Sequence, residues 1–343
     1  MNRTLRYLRL LLVSFTGLLG LLFVAAFVMI FLGDPEFPPT PPMSPDALAA
    51  LAARYEQVYP SEARRFPMRD GTVLSGRLFP ADSGTTVVLV HGILASSLEL
   101  NRPAGLLREA TSAAVLAIDL RGHGASGGAP GDIDYVGQYE DDLADVVAKV
   151  RASRSGGRVI LAGHSMGGGI VLRYAQKPGL PPVDGYLLFA PYLGANSPTT
   201  PQESRPGEDA FLRLHFPRTL GLAGFNAFGI TAFNGLRTLF FNLPPELPLT
   251  SYSYRAMVGN APTDRVPALA AIRAADRPLL VVVGSRDEAF RADLYATALG
   301  NERKALRIIE GASHDGVLVD PQALAAVGRW LGGRPRATVP PST

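Results

Sequence analysis

The residues able to do chemistry gather around one serine. In Val159-Ile160-Leu161-Ala162-Gly163-His164-Ser165-Met166-Gly167-Gly168-Gly169, an apolar run turns through Gly-x-Ser-x-Gly into a helical stretch, Ile170 to Gln176. Such a strand-to-helix turn lifts a serine hydroxyl onto a strained, exposed corner above a sheet. Gly163 and Gly167 let the strand and helix backbones pass close together. A serine hydroxyl is a weak nucleophile until a base takes its proton and hydrogen-bond donors await the oxyanion.

The chain has five histidines, which can be weighed one at a time as that base. His164 sits inside the turn, where its ring is expected to point away from the hydroxyl. His91 ends a buried strand, His123 in Arg121-Gly122-His123-Gly124 reads as structural, and His215 in a long insert reads as incidental. His314, in Gly311-Ala312-Ser313-His314-Asp315, directly follows the last expected strand. Sites assemble at the carboxyl ends of parallel strands, so His314 is the base candidate. The acid that orients it should be Asp287, in Val283-Gly284-Ser285-Arg286-Asp287-Glu288, with Glu288 and Asp315 as rivals. Two backbone N–H groups should receive the oxyanion, each worth roughly 3 kcal/mol. They are expected from Met166, after the serine, and from Ile93, in the turn that Gly92 lets bend close to a substrate carbonyl.

Positioning these groups requires a sheet. A hairpin is expected from Phe66–Arg69 and Val73–Phe79 around Asp70-Gly71, followed by strands at Thr86–Val90, Ala114–Ile118, Arg158–Ala162, Gly185–Phe189, Pro278–Val283 and Ala305–Ile309. Helices are expected at Asn101–Ala110, Tyr135–Ala152, Ala292–Leu299 and Pro321–Leu331. The alternation predicts an α/β fold, a mostly parallel sheet with helices on both faces. Between Ala190 and Pro278 the alternation fails. That stretch, with Phe211, Phe216, Phe225, Phe228, Phe233, Phe240 and Phe241, is expected to be a lid insertion at about 192–265, its phenylalanines serving a substrate or a small core of its own.

The remainder bounds the setting. With no cysteine, the chain can form no disulfide, zinc-thiolate site or cysteine nucleophile. A net charge of +3, dispersed and without a basic stripe among aromatics, argues against nucleic-acid binding. Leu10 to Leu32 carries no charge and is long enough to span roughly 30 Å of hydrocarbon as a transmembrane helix. A signal peptide would have an apolar core of only about 7–15 residues, and cleavage after Ala26 would leave a very apolar mature terminus. Arg3, Arg6 and Arg9 precede the run, whereas Asp34 and Glu36 follow it. The positive-inside rule therefore sets residues 1–9 in the cytoplasm and the rest across a single-pass membrane anchor. Residues 33–61 read as a proline-rich stalk with a short helix carrying Leu48, Leu51, Ala52 and Tyr55. The catalytic domain is expected at 62–333, with a disordered tail at 334–343.

Val90-His91-Gly92, Asp119-Leu120-Arg121-Gly122-His123-Gly124-Ala125-Ser126 and Gly163-His164-Ser165-Met166-Gly167-Gly168, in that order, resemble the α/β-hydrolase superfamily. Its monoacylglycerol-lipase or lysophospholipase-like serine hydrolases, which shade into serine aminopeptidases, are most similar. The resemblance runs from about Phe66 to Leu331, outside the lid. It implies a Ser165, Asp287, His314 triad, in the nucleophile–acid–histidine order of that fold, with Ile93 and Met166 as oxyanion donors. It also implies an acyl-enzyme intermediate, no metal and no cofactor. The expected activity is hydrolysis of carboxylic esters, with small-molecule or lipid-like substrates. A peptidase gripping a terminal amine through Glu203, Glu208 and Asp209 is the alternative, and a non-catalytic membrane-tethered binding module is a third reading.

Overall fold

The apolar runs become strands buried on both faces. The computed structural model describes residues 3–38, 44, 49, 58–153, 156–201, 211–244, 247 and 249–332. The expected short helix of the stalk, the Glu203, Glu208 and Asp209 cluster and the 334–343 tail lie outside the described residues. Strand β1 (Glu62–Pro67) pairs antiparallel with β2 (Val73–Phe79), and β2 antiparallel with β4 (Ala114–Ile118). From β4 onward the neighbours are parallel: β3 (Thr85–Val90), β5 (Arg158–His164), β6 (Gly185–Phe189), β10 (Leu279–Gly284) and β11 (Leu306–Ile309). The order is β1-β2-β4-β3-β5-β6-β10-β11.

Parallel neighbours need crossovers, and these are supplied by helices α2 (Asn101–Thr111), α3 (Gln138–Ser153) and α4 (Met166–Gln176). Period-two alternation assigns the two faces of the sheet. Val87, Leu89, Val115, Ala117, Ile160, Ala162, Leu187 and Phe189 share one core with Ala104 and Leu107 of α2. The closing helix (Pro321–Gly332) adds Val327 and Leu331 to that same core. Helices α3 and α4 pack on each other and on β5, across the other face.

Two compact units result. The larger comprises Met43–Ser204 with Val258–Thr343 and contains this sheet. The smaller joins Met1–Pro42 to Arg205–Met257. In it, helix α1 (Arg3–Ile30) packs beside α5 (Phe216–Ala227). A three-stranded antiparallel sheet, β7 (Leu212–Leu214), β8 (Arg237–Phe241) and β9 (Ser251–Ser253), completes that unit. The insert phenylalanines pack among themselves, Phe225 on Phe233 and Phe211 on Phe241, and also on Phe23 and Phe27 of α1 and on Phe31 just beyond it.

A close backbone crossing of the larger unit lies beneath the serine. A Cβ on Gly167 would stand 2.5 Å from the carbonyl oxygens of both Val90 and His91, and one on Gly163 would stand 2.4 Å from the Gly167 carbonyl. These obstacles are backbone and cannot rotate away. Gly167→Ala is expected to lower stability by about 2–3 kcal/mol in chemical denaturation of the full chain in detergent. Gly332→Ala, where a Cβ meets nothing within 4 Å, should stay within about 0.5 kcal/mol of wild type. Equal effects would refute the close crossing.

Candidate active site

Ser165 occupies the junction between β5 and α4 in a conformation that few non-glycine residues adopt, φ 52° and ψ −117°. The surroundings over-determine this strain. The Ser165 N–H donates to the Phe189 carbonyl of β6 at 3.0 Å. Its own carbonyl accepts from the Gly169 and Tyr192 N–H groups at 3.2 and 2.9 Å. Met166 is the first residue of α4, where backbone N–H groups have no partner inside the helix.

The expected base and acid meet at the same sheet edge. His314 Nδ1 lies 3.0 Å from both carboxylate oxygens of Asp287, whose side chain is fully buried. An ionised carboxylate only accepts, so Nδ1 carries the proton and Nε2 is left as the acceptor. The Ala289 and Phe290 N–H groups donate to Asp287 Oδ1 at 2.9 and 2.8 Å, which fixes the carboxylate's direction. The two rivals have other places. Glu288 Oε2 accepts from the His314 backbone N–H at 2.9 Å, pinning the loop rather than the ring. Asp315 is largely exposed, 3.7 Å from His164 Nε2.

His164 turns its ring onto the back of the His314 loop. Its Nε2 lies 3.2 Å from the His314 carbonyl, and the two rings are 4.8 Å apart. His164, His314 and Asp315 offer ligand atoms within 4.8 Å of one another, a grouping that could meet a metal ion. The hydrogen bond of His164 to the His314 carbonyl already gives this grouping a role in holding the loop. The edge of His314 rests on Phe290, which in turn stacks on Tyr192.

Ile93 follows the β3 end, where His91 organises the turn. Its Nε2 accepts from the Leu120 N–H at 3.1 Å, so Nδ1 donates to the Gly92 carbonyl at 2.7 Å. A Cβ on Gly92 would come within 3.3 Å of the Ser165 Cβ, so the turn runs directly past the serine. Asp119 ties the neighbouring loops together, accepting from the Ser97 N–H at 2.5 Å and the Ala125 N–H at 3.0 Å. Arg121, the arginine of the Arg-Gly-His-Gly loop, is buried and forms a two-pronged pair with Asp142 of α3, with Asp70 at 2.9 Å. Desolvation raises the Asp142 pKa although the guanidinium opposes it. His123 packs against His91 with ring centroids 4.9 Å apart, as a structural part of that loop.

Sequence reasoning missed Glu288 as a loop anchor, Phe290 as the wall behind the imidazole, and Asp119 as a tie. The adjacency of Glu288 to Asp287 was the available signal, but only the fold separates a carboxylate facing the ring from one facing the backbone.

Burial depresses three imidazoles: His91 to about 4, His123 to about 3 and His164 to about 4. In the unfolded chain such rings take up protons near pH 6.5. Below that pH, until their folded values are reached, the unfolded state binds more protons than the folded one. The stability these neutral rings contribute is therefore complete above pH 6.5 and is lost as pH falls toward 4. Acidification from pH 7 to 5 should remove on the order of 2 kcal/mol per ring. The thermal midpoint should fall across that range and fall less in His123→Gln; equal slopes in the two proteins would contradict a neutral buried His123.

Residues 87–327 match the model of the alpha/beta hydrolase family. A 111-residue stretch, 32% of this chain, is 34% identical to uncharacterized proteins of Mycobacterium tuberculosis and Mycobacterium bovis, and spans only 30% of their length. Among solved structures, a membrane phospholipase A described as a bacterial virulence factor superposes with a TM-score of 0.53 at 18% identity, covering 97% of this chain and 99% of that one. A monoacylglycerol lipase of Paleococcus ferrophilus gives 0.51 at 24% identity over 76% and 98%. An alpha/beta hydrolase from Penicillium sp. sh18 gives 0.52 at 18% over 80% and 98%. At these identities the superpositions speak for the fold alone. The family match, covering more than half of the sequence and carrying the strand-to-helix serine turn within it, establishes that the chain belongs to the alpha/beta hydrolase family.

Proposed function

We propose that the protein is a membrane-anchored serine hydrolase that cleaves carboxylic esters, with Ser165 as nucleophile, His314 as base and Asp287 as the orienting acid. The observation that carries this reading is the buried Asp287 carboxylate on His314 Nδ1, at the same sheet edge as the strained serine. In the first step His314 Nε2 takes the Ser165 proton while Oγ attacks the ester carbonyl. The oxyanion is received by the N–H groups of Met166 and Ile93. His314 then returns the proton to the leaving alcohol, which gives an acyl-enzyme on Ser165. Water, deprotonated by the same nitrogen, releases the carboxylic acid and restores the serine. Asp287 holds the tautomer and stabilises the imidazolium without taking the proton.

Helix α1 supports the anchor. Leu11–Ile30 has a mean hydropathy of 2.5, and this stretch is long and apolar enough to cross a membrane. The arginines before it and the acids after it favour a cytoplasmic N-terminus with the hydrolase unit beyond the membrane. A lipid-like ester, of the monoacylglycerol or lysophospholipid type, fits such a setting. Two proteins of similar fold, the Paleococcus ferrophilus enzyme and the membrane phospholipase A, carry lipid-cleaving names.

A fluorophosphonate probe should label the wild-type protein and fail to label Ser165→Ala; labelling that survives the substitution, or its absence from the folded wild type, would sink the serine mechanism. Asp287→Asn is expected to cut kcat on ester substrates by about 10⁴-fold while the protein stays folded. Turnover of matched ester and amide substrates separates an esterase from a peptidase, with the ester expected to be strongly preferred.

A further inference from the structure

We propose that the insert segment from Phe216 to Leu236 is a re-entrant hairpin that enters the lipid bilayer alongside α1. The inference rests on the reading of α1 as a membrane span. Helix α5 runs antiparallel to α1 and back along it. At its start, His215 Nε2 lies 3.0 Å from the Gly33 carbonyl. Midway, Gly221 faces the Ala26 carbonyl so closely that a Cβ there would stand at 2.6 Å. At its end, Phe225 and Phe228 pack on Phe23, with ring centroids 5.7 and 4.9 Å apart. From Ile30 back to Phe23 is roughly 10 Å at about 1.5 Å per residue, a third of a hydrocarbon core of about 30 Å. If α1 lies in the membrane, α5 descends beside it to that depth.

The segment has the chemistry that such a location demands. Thr219 to Leu236 contains no charged residue, and arginines stand at both feet, Arg218 and Arg237. Arg218 stays at the level where α1 ends. Its guanidinium donates to the Ile30, Leu32 and Arg237 carbonyls at 2.7–2.8 Å and pairs with Asp34 at 2.6 Å. Hydrocarbon offers no hydrogen bonds, so polar groups must be satisfied internally. Asn226 and Asn234 bond each other reciprocally at 2.7 and 2.8 Å. The turn's N–H groups at Phe228, Gly229 and Ile230 donate to the Phe225 and Asn226 carbonyls. Meanwhile Leu220, Phe228 and Ile230 are exposed, the phenylalanine by 60%. Large apolar side chains left out around a polar-satisfied turn match lipid, not water, as the covering medium.

The natural lack of cysteine makes the test direct. Single cysteines at Leu18 in α1, Phe228 at the tip and Glu36 beyond α1 are introduced into the full chain, tagged with an environment-sensitive fluorophore and reconstituted in phosphatidylcholine–phosphatidylglycerol vesicles. Leu220→Cys reads the same helix should replacing Phe228 disturb its contact with Phe23. The expected result is several-fold stronger quenching by spin-labelled lipid than by iodide at Leu18, Phe228 and Leu220, with the reverse at Glu36. Lipid quenching at Leu18 together with iodide quenching at Phe228 and Leu220 would overturn the hairpin and leave the anchor standing. Shielding of the tip from both quenchers would mean that protein, such as a second copy, covers it, and overturns the hairpin as well. Iodide quenching at Leu18 would overturn the anchor itself, and the hairpin with it.

Discussion

The geometry at the sheet's carboxyl edge depends on one steric constraint: α4 must begin almost in contact with β3 and β5. The Gly163–Gly167 crossing allows it, because neither residue carries an atom where the facing backbone lies. The closeness pushes Ser165 into its left-handed conformation and sets the first turn of α4 beside the turn after His91. A larger residue at either position would separate the serine from the N–H groups that the proposed mechanism needs. Strain at the serine is thus held by close backbone packing two residues to either side.

A second layer of order comes from groups that never touch the serine. Three buried imidazoles, the Arg121–Asp142 pair and Asp119 hold the loops that follow β3, β4 and β11. Parallel strands end in loops at one edge, and loops left to themselves wander. Here buried side chains span between neighbouring loops, as Asp119 does to the Ser97 N–H and His91 to the Leu120 N–H. Histidine suits the task because, held neutral by burial, it can accept from one backbone group and donate to another.

The sheet was legible in the sequence because its strands are buried on both faces and read as continuous apolar runs, as at Thr86–Val90 and Ala114–Ile118. Candidate residues at strand ends followed from the same logic, and the structure brings Asp287 against His314 while giving Glu288 and Asp315 other places. The insert was not legible. Its strands β7 and β9 are three residues each, too short for alternation to register. Nor could local pattern reveal that its phenylalanines pack on Phe23 and Phe27, which lie just over two hundred residues earlier. His215 read as incidental because its partners, the Leu32 and Gly33 carbonyls, are equally remote; it caps α5 and ties it to the end of α1.

The smaller unit is therefore assembled from two pieces of chain that a ribosome makes far apart in time. Met1–Pro42 emerges first, and its partner Arg205–Met257 only after most of the parallel sheet has been synthesised. Until then the face of α1 around Ala26 and Ile30 has no α5 to meet, and the carbonyls of its last turn have no Arg218. Removing the leader after Ala26 during that interval would strip Phe23 from the unit before its ring partners existed. Completion of this unit thus waits on biosynthesis of the insert, which brings α5 and its phenylalanines to α1.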